Sequence, residues 1–323
     1  MNEMKKKQRT KHKKVDLNNL FVNTPEQDIP ESLRKSVFLD AKKDPAFKRL
    51  FGDARLVCNF LNAVLHLDGS DQIQKVEILD KDVALVQASD EIFSVDVRAR
   101  NGKKQYFDIE IQGRGHGAFF DRAVLYAGIV AAEAHSEALR DYDKAKKNLG
   151  KTARYKMPHI ICIWICNFPK KKSKESYREE WALYRKSDIG NKKAIPVSDV
   201  IKYIFIKLPR VEACKKTIHP EEFAWYDLIA NSERHREIPD TASEFIRDAY
   251  ERLRVRRTPK EILERQVRDM IPSAMIDDLI DEAVNEERHN QAKKMLDYGF
   301  STKKIAIITG IPLNEVRKMK TSH

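Results

Sequence analysis

Asp96, Asp108 and Glu110 fall on two alternating runs, residues 93–100 and 106–112, separated by Asn101-Gly102. Alternating runs joined by a turn signal read as an antiparallel hairpin. The acids share the polar face, and Val95, Val97, Phe107, Ile109 and Ile111 build the other. Carboxylates on adjacent central strands repel one another and are costly to desolvate. A divalent cation removes that cost, and Mg²⁺ is commonly held by one or two carboxylates plus water and phosphate oxygens. The plainer reading is a half-exposed hairpin with solvated acids.

The register decides whether the acids meet. Asn-Gly usually signals a two-residue loop, which would pair Arg100 with Lys103, Val95 with Asp108 and Asp96 with Phe107. Apolar and acidic residues would then mix on both faces. A one-residue slip flips every side chain, so the pattern demands an odd-length loop or a bulge. A five-residue loop over 101–105 sets Asp96 opposite Glu110, Val97 opposite Ile109 and Val95 opposite Ile111. A three-residue loop leaves Asp96 and Glu110 as diagonal neighbours, roughly 7–8 Å apart and still bridgeable by one ion.

The elements around this hairpin must position it. With 323 residues, 41% hydrophobic and 34% charged, the chain holds a domain of about 200 residues plus extras. Net charge is +12, and residues 1–14 carry seven Lys/Arg against Glu3 alone. That tail has almost no apolar residues, so disorder is expected for it. It suits either nucleic-acid binding by counterion release or solubility. No apolar stretch follows the basic residues as in a signal peptide, and no run of 18 apolar residues exists, so a cytoplasmic protein with no membrane span is expected. Cys58, Cys162, Cys166 and Cys214 form no Cys-x-x-Cys pair. They read as reduced core thiols, with a zinc site as the alternative.

Asp44-Pro45 opens a helical region, with Asp44 as cap and Pro45 in the first helical position. Leu56, Phe60, Leu61, Val64 and Leu65 mark a second helix, and 75–79 a short strand. Gly113, Gly115 and Gly117 break the pattern after the hairpin. A helix from about 118 to 140 follows, with Phe120, Ala123, Val124, Ala127 and Val130 as its buried stripe and Arg122 and Tyr126 one turn apart. The apolar run 159–168 reads as a fully buried strand, 170–174 as an exposed basic loop, and 201–208 as another strand. From about 219 onward only helices are expected. The boundaries read as a basic tail and lead-in over 1–36, a core over 37–215, a helical extension over 216–280, and a tail over 281–323.

The order αβββαβ, with Asp on the second strand and Glu-x-Gln on the third, resembles the PD-(D/E)XK nuclease superfamily. More closely it resembles the Rpn group of recombination-promoting nucleases, or PD-(D/E)XK family transposases. Residues 44–52, 60–65, 95–97 and 107–112, with Arg122 and Tyr126, carry the likeness. It implies an α/β restriction-endonuclease-like core with a mostly helical C-terminal extension. The function implied is a metal-dependent DNA endonuclease tied to recombination or a mobile element, using Mg²⁺ or Mn²⁺ on Asp96 and Glu110. Gln112 stands where the superfamily usually has Lys, so a charge that would stabilise the transition state is missing. Lys48 or Arg122 is the candidate replacement.

Asp108 is either a third ligand or a solvated or bridging acid, and Glu77 either a ligand or an edge-facing structural acid. Arg114 and His116 lie in a Gly-rich turn placed for a backbone phosphate, although no Walker Gly-Lys-Ser/Thr closes that turn. Arg122 and Tyr126 either bind phosphate or tie their helix to the sheet. The alternative reading of the whole is a catalytically silent DNA-binding or transposon accessory protein. A metal-free acid–base hydrolase of the glycosidase kind would call for a Trp-rich cleft, and the chain has three Trp.

At the C-terminus, a helix over 286–296 ends at Gly299. Ser301 caps a second helix, residues 309–312 turn, and 313–319 form a third. Helix, Gly-containing turn and helix resemble a helix-turn-helix, whose last helix offers Arg317 and Lys318 to DNA. The alternative is a small appendage for packing or dimerisation. Two cuts in a duplex would suit a homodimer.

Overall fold

The computed structural model of the chain describes residues 23–79, 82–84, 92–113, 118–144, 155–168, 176–188, 190, 193–270 and 287–321. Arg114, His116, the basic tail and the 170–174 loop lie outside the described residues. Two compact units are present, Met1–Val267 and Arg268–His323. No described helix is long and apolar enough to cross a membrane.

The first unit opens with α1 (Asp44–Leu50) and α2 (Ala54–Leu65), then β1 (Val76–Ile78), β2 (Asp82–Ala84), β3 (Ile92–Ser94), β4 (Val97–Asn101) and β5 (Tyr106–Gln112). Next come α3 (Phe119–Lys144), β6 (Ile160–Cys166), β7 (Arg178–Leu183), β8 (Ser198–Lys207), α4 (Leu208–Cys214), α5 (Pro220–Asn231), α6 (Glu244–Leu253) and α7 (Lys260–Met270). Six strands form one mixed sheet in the order β1-β4-β5-β6-β8-β7, and β2 pairs with β3 in a separate ribbon. β5 and β6 run parallel, joined through α3, while β4 and β5 form the antiparallel hairpin. The architecture is the mixed α/β, restriction-endonuclease-like one that the strand order led us to expect.

The hairpin adopts the odd-loop register. Val97 faces Ile109, Arg98 faces Asp108 and Arg100 faces Tyr106. The turn closes further, because Asn101 N–H donates to Gln105 O at 3.1 Å and Lys104 N–H to Asn101 O at 3.0 Å. Lys104 sits at φ 60°, the left-handed position that ends this kind of loop. Asn101 Oδ1 accepts from the N–H groups of Lys103 and Gln105, each at 3.0 Å. Its side chain thus braces the longer loop, which explains why Asn-Gly makes no two-residue turn here.

Both faces of the sheet are covered. Val97, Ala99, Phe107, Ile109, Ile163, Ile165, Ile204 and Ile206 join one core with α1, α2, α5 and α6. Tyr106, Cys162, Trp164, Cys166 and Phe205 join a second with Phe119, Ala123, Ala127 and Val130 of α3. The acid-bearing face of the hairpin therefore lies under a helix, not in water.

Two expectations need correction. Residues 93–100 are not one strand: the chain leaves the β2–β3 ribbon, bends at Val95-Asp96 and enters the sheet at Val97. Because of that bend Val95 packs into the α3-side core rather than beside Val97. On α3, Phe119 is the buried aromatic (4% exposed), whereas Phe120 and Val124 are exposed by 37% and 58%. The helix is rotated so that its small residues Ala123, Ala127, Ala131 and Ala134 meet the sheet. Strand β7, over a stretch for which the sequence offered no expectation, pairs with β8 at the sheet edge.

The helical region after β8 completes the core. Trp225, Tyr226, Leu228 and Ile229 of α5 and Ile246, Ala249 and Tyr250 of α6 belong to the first core. Arg49 of α1 is buried, and its Nε and Nη2 donate to the carbonyls of Arg252 (2.6 Å) and Arg257 (2.7 Å). Thr24 lies against the far end of the same unit, its N–H on Arg256 O at 2.9 Å and its Oγ1 on Thr258 O at 2.7 Å.

The second unit contains α8 (287–297), α9 (Thr302–Thr309) and α10 (Leu313–Thr321) around Ala292, Ile305, Ile311 and Val316. Gly299 at φ 79° ends α8, with Gly299 N–H on Leu296 O and Phe300 N–H on Met295 O. Ser301 caps α9, and Gly310 at φ 70° turns the chain into α10. Arg317 and Lys318 are exposed on α10.

Candidate active site

Continuing the hairpin register by one residue sets Asp96 across from Glu110. Asp96 N–H donates to Glu110 Oε1 at 2.9 Å, and Ile111 N–H donates to Asp96 Oδ2 at 2.9 Å. The bend frees the Asp96 carboxylate from a strict strand orientation and lets it reach α1, where Lys48 Nζ lies 3.5 Å from its Oδ1. Lys48 also pairs with Asp44 one turn earlier. Asp44 is not the helix cap: it occupies the first helical turn, Lys43 holds the cap position, and the Asp44 carboxyl is within hydrogen-bond reach of Asp96.

Asp108 is 0% exposed and Glu110 2%. Trp164, also fully buried, is the register neighbour of Glu110 on β6. Neither Asp108 oxygen meets a hydrogen-bond donor among the described residues, and its immediate polar neighbour is the Glu110 carboxyl. Two buried carboxyls in contact require a proton or a cation between them.

The proton affinities follow. Burial pushes Asp108 up to about 7, and the Asp96 charge adds to the shift. Burial pushes Asp96 up to about 6 against the pull of the Ile111 N–H and Lys48. Burial, then Asp108 and Asp96, hold Glu110 well above the usual carboxylate range. For Lys48, burial opposes ionisation, but Asp44 and Asp96 outweigh it and leave the amine above its ordinary value. Lys48 is therefore a fixed positive charge, not a base.

Arg122 approaches from α3. Its Nη1 donates to Gln112 Oε1 at 3.2 Å and its Nη2 to Tyr126 Oη at 3.3 Å. The guanidinium lies 4.8 Å from the Tyr126 ring centre and 5.9 Å from that of Trp164. Arg122 thus fastens α3 to the sheet and also lowers the proton affinity of Asp108 and Glu110. Arg98, opposite Asp108, is buried but turns to Glu133 (3.1 Å) and Glu137 (3.4 Å) of α3.

Of the residues singled out from the sequence, Lys48, Asp96, Asp108, Glu110, Gln112, Arg122 and Tyr126 come together. Glu77 does not, because it sits at the sheet edge, exposed and paired with Arg100 at 2.9 Å. Arg317 and Lys318 belong to the second unit. Asp44 and Trp164 join the site without having been marked for it by sequence; the Asp44–Lys48 spacing of four residues was the available signal for the first. Burial pushes the Cys162 thiol well above its ordinary value, with Asp108 and Glu110 adding, so a zinc-binding thiolate is disfavoured.

The donor set is carboxylate oxygen, the chemistry of Mg²⁺ and Mn²⁺. Among the described residues no group of three or more His, Cys, Asp or Glu could hold a metal ion by itself. Asp96 and Glu110 suit an ion that keeps waters and takes its remaining ligands from a phosphate. The donor-less Asp108 supports the fit, since a nearby cation would offset its burial. A cleft of about 580 Å³ lies at the other end of β4 and β5, beside Asn101, Lys103 and Gln105. None of Asp96, Asp108 and Glu110 lines it.

A family model described as PD-(D/E)XK nuclease family transposase matches residues 41–271. That span holds every residue of the cluster and stops before α8. No curated protein and no solved structure matches the chain.

Proposed function

The chain belongs to the PD-(D/E)XK nuclease family transposases, and from that premise we propose that it is a Mg²⁺- or Mn²⁺-dependent DNA endonuclease serving recombination or a mobile element. The observation that carries the reading is the buried carboxyl cluster, in which donor-less Asp108 backs Glu110 and Asp96. Asp96 and Glu110 would hold the ion. When bound, it would lower the pKa of a coordinated water and polarise the scissile phosphate. Gln112 is neutral, and Arg122, hydrogen-bonded to its Oε1, brings the positive charge that a lysine would have carried. Lys48, kept ionised beside Asp96, adds a second fixed charge for the developing negative charge on phosphate.

Supercoiled plasmid is the test substrate. Nicking or linearisation with Mg²⁺ or Mn²⁺, abolished by a chelator and in Asp96→Ala, is the expected result. Plasmid that stays intact while DNA binding persists would favour the catalytically silent accessory protein.

Two further outcomes are expected. Arg122→Ala and Lys48→Ala should each lower the single-turnover cleavage rate by about 10–100-fold, short of the roughly 10²–10³-fold typical when an oxyanion donor is removed. Unchanged rates in both would remove these residues from the mechanism. Arg317→Ala with Lys318→Ala should weaken DNA binding evenly across sequences and reduce the log–log salt slope by about one for each phosphate left unneutralised. A slope that does not move would assign α10 to packing.

A further inference from the structure

The cleft at the far end of β4 and β5 is walled by the end of α2, the connection over 67–75, the β4–β5 turn and residues of β6 and β8. Its volume of about 580 Å³ is that of a small-molecule site. Leu65, Leu67, Ile73 and Ile161 form its apolar part. Of these, Leu65, Leu67 and Ile161 stay partly exposed. Lys75, Lys103 and Lys202 line the same cleft, and Asp71 is the one acid among its described lining residues. Lys202 pairs with Glu180. Lys75 and Lys103 are exposed and have no ion-pair partner among the described residues. Gln72 and Gln74 add amides that likewise make no side-chain hydrogen bond there.

These groups sit on backbone that is already fixed. Asn62 of α2 clamps the irregular wall: Ile73 N–H donates to Asn62 Oδ1 at 2.8 Å, and Asn62 Nδ2 donates to Ile73 O at 2.9 Å. Leu67 N–H donates to Asn62 O at 2.9 Å. Across the cleft, the Asn101 side chain braces the turn through the Lys103 and Gln105 N–H groups. A wall held in place before a ligand arrives lowers the ordering cost of binding.

We propose that this cleft binds a nucleoside polyphosphate. The heterocycle lies against Leu65, Leu67 and Ile161, whose exposed apolar surface it covers. The Gln72 and Gln74 amides serve the base edge, because an amide matches a donor set beside an acceptor. Lys75 and Lys103 take the phosphates by charge-assisted hydrogen bonds. Duplex DNA accounts for less of the cleft, since backbone contacts call for cations on a surface and no apolar recess. A neutral apolar ligand leaves the lysines without a role. The cleft is separate from the acid cluster, and the inference does not depend on the nuclease reading.

Calorimetric titration of the full-length chain with ATP, tripolyphosphate and adenosine, in chelator so that no metal occupies the acid cluster, tests this. ATP should bind at one site per chain, about 10-fold or more tighter than either fragment, since base burial and phosphate contacts each contribute at least that factor. Lys75→Glu with Lys103→Glu, both at exposed positions, should leave the melting temperature unchanged and weaken ATP by about 10-fold or more. Asp96→Ala should leave the ATP affinity as it is. Absence of ATP binding, equal affinity for tripolyphosphate, or indifference to the lysine pair would each overturn the proposal. So would loss of ATP binding in Asp96→Ala, which would move the phosphates to the acid cluster. A lysine pair that weakens a duplex oligonucleotide as much as ATP would make the cleft part of a DNA track and overturn it too.

Discussion

Glu110→Gln is expected to reduce metal-dependent cleavage by at least about 10³-fold and, at the same time, to raise the melting temperature in chelator at pH 8. The two effects have one origin. Gln keeps the acceptor that receives the Asp96 N–H, so the hairpin geometry survives. It removes a charge that burial, Asp108 and Asp96 all disfavour. A bound ion would lose one of the two carboxylate ligands proposed for it, and for an ion that acts on both nucleophile and phosphate that loss would fall on the transition state. For a unit of this size about 1 kcal/mol of stabilisation moves the midpoint by roughly 2–4 °C, so a rise of several degrees is expected. A variant that loses activity and also melts lower would show Glu110 to be structural, and the active-site assignment would fail.

The second expectation concerns pH. A carboxyl with a raised native-state pKa holds its proton more tightly in the fold than in the unfolded chain. As pH rises past the ordinary value of 3.8, the unfolded chain releases protons first and is favoured. The penalty builds until the native groups ionise, near 6 for Asp96 and 7 for Asp108, and is fully present above that. Metal-free protein should therefore lose stability between about pH 4 and pH 7 through this cluster, by on the order of several kcal/mol. Asp108→Asn should flatten that slope. Mg²⁺ competes with protons for the same oxygens, so saturating Mg²⁺ should raise the midpoint strongly at about pH 8 and little at about pH 5.5. At a concentration roughly 100 times its dissociation constant the gain is about 2.7 kcal/mol. Thermal denaturation of wild type and Asp108→Asn, with and without Mg²⁺, measures all of this; equal Mg²⁺ shifts at both pH values would contradict it.

Much of the hairpin was legible because its chemistry is local. Val97 and Ile109 can share a face in an odd register only, and that constraint outweighed the Asn-Gly turn signal. Asp44-Pro45 marked the start of α1, and the β-branched run at 160–166 marked a buried strand. What stayed hidden depends on distant partners. Asp44 meets Asp96 across a gap in sequence that no periodicity spans. Val95 departs from its alternation because the chain changes sheets at the next residue. The rotation of α3, which buries Phe119 and exposes Phe120, is set by the alanines that fit Trp164 and Cys162, and an apolar stripe in sequence points both ways. Strand β7 begins with charges whose partners are distant in sequence: Arg178 pairs with Glu222 of α5, Glu179 with Lys207 and Glu180 with Lys202.

The contact of Thr24 with Arg256 and Thr258 brings the lead-in to the first unit beside the turn that enters its last helix, α7. A body whose entry and exit adjoin can be spliced into a loop of a host protein, or circularly permuted, without stretching its backbone.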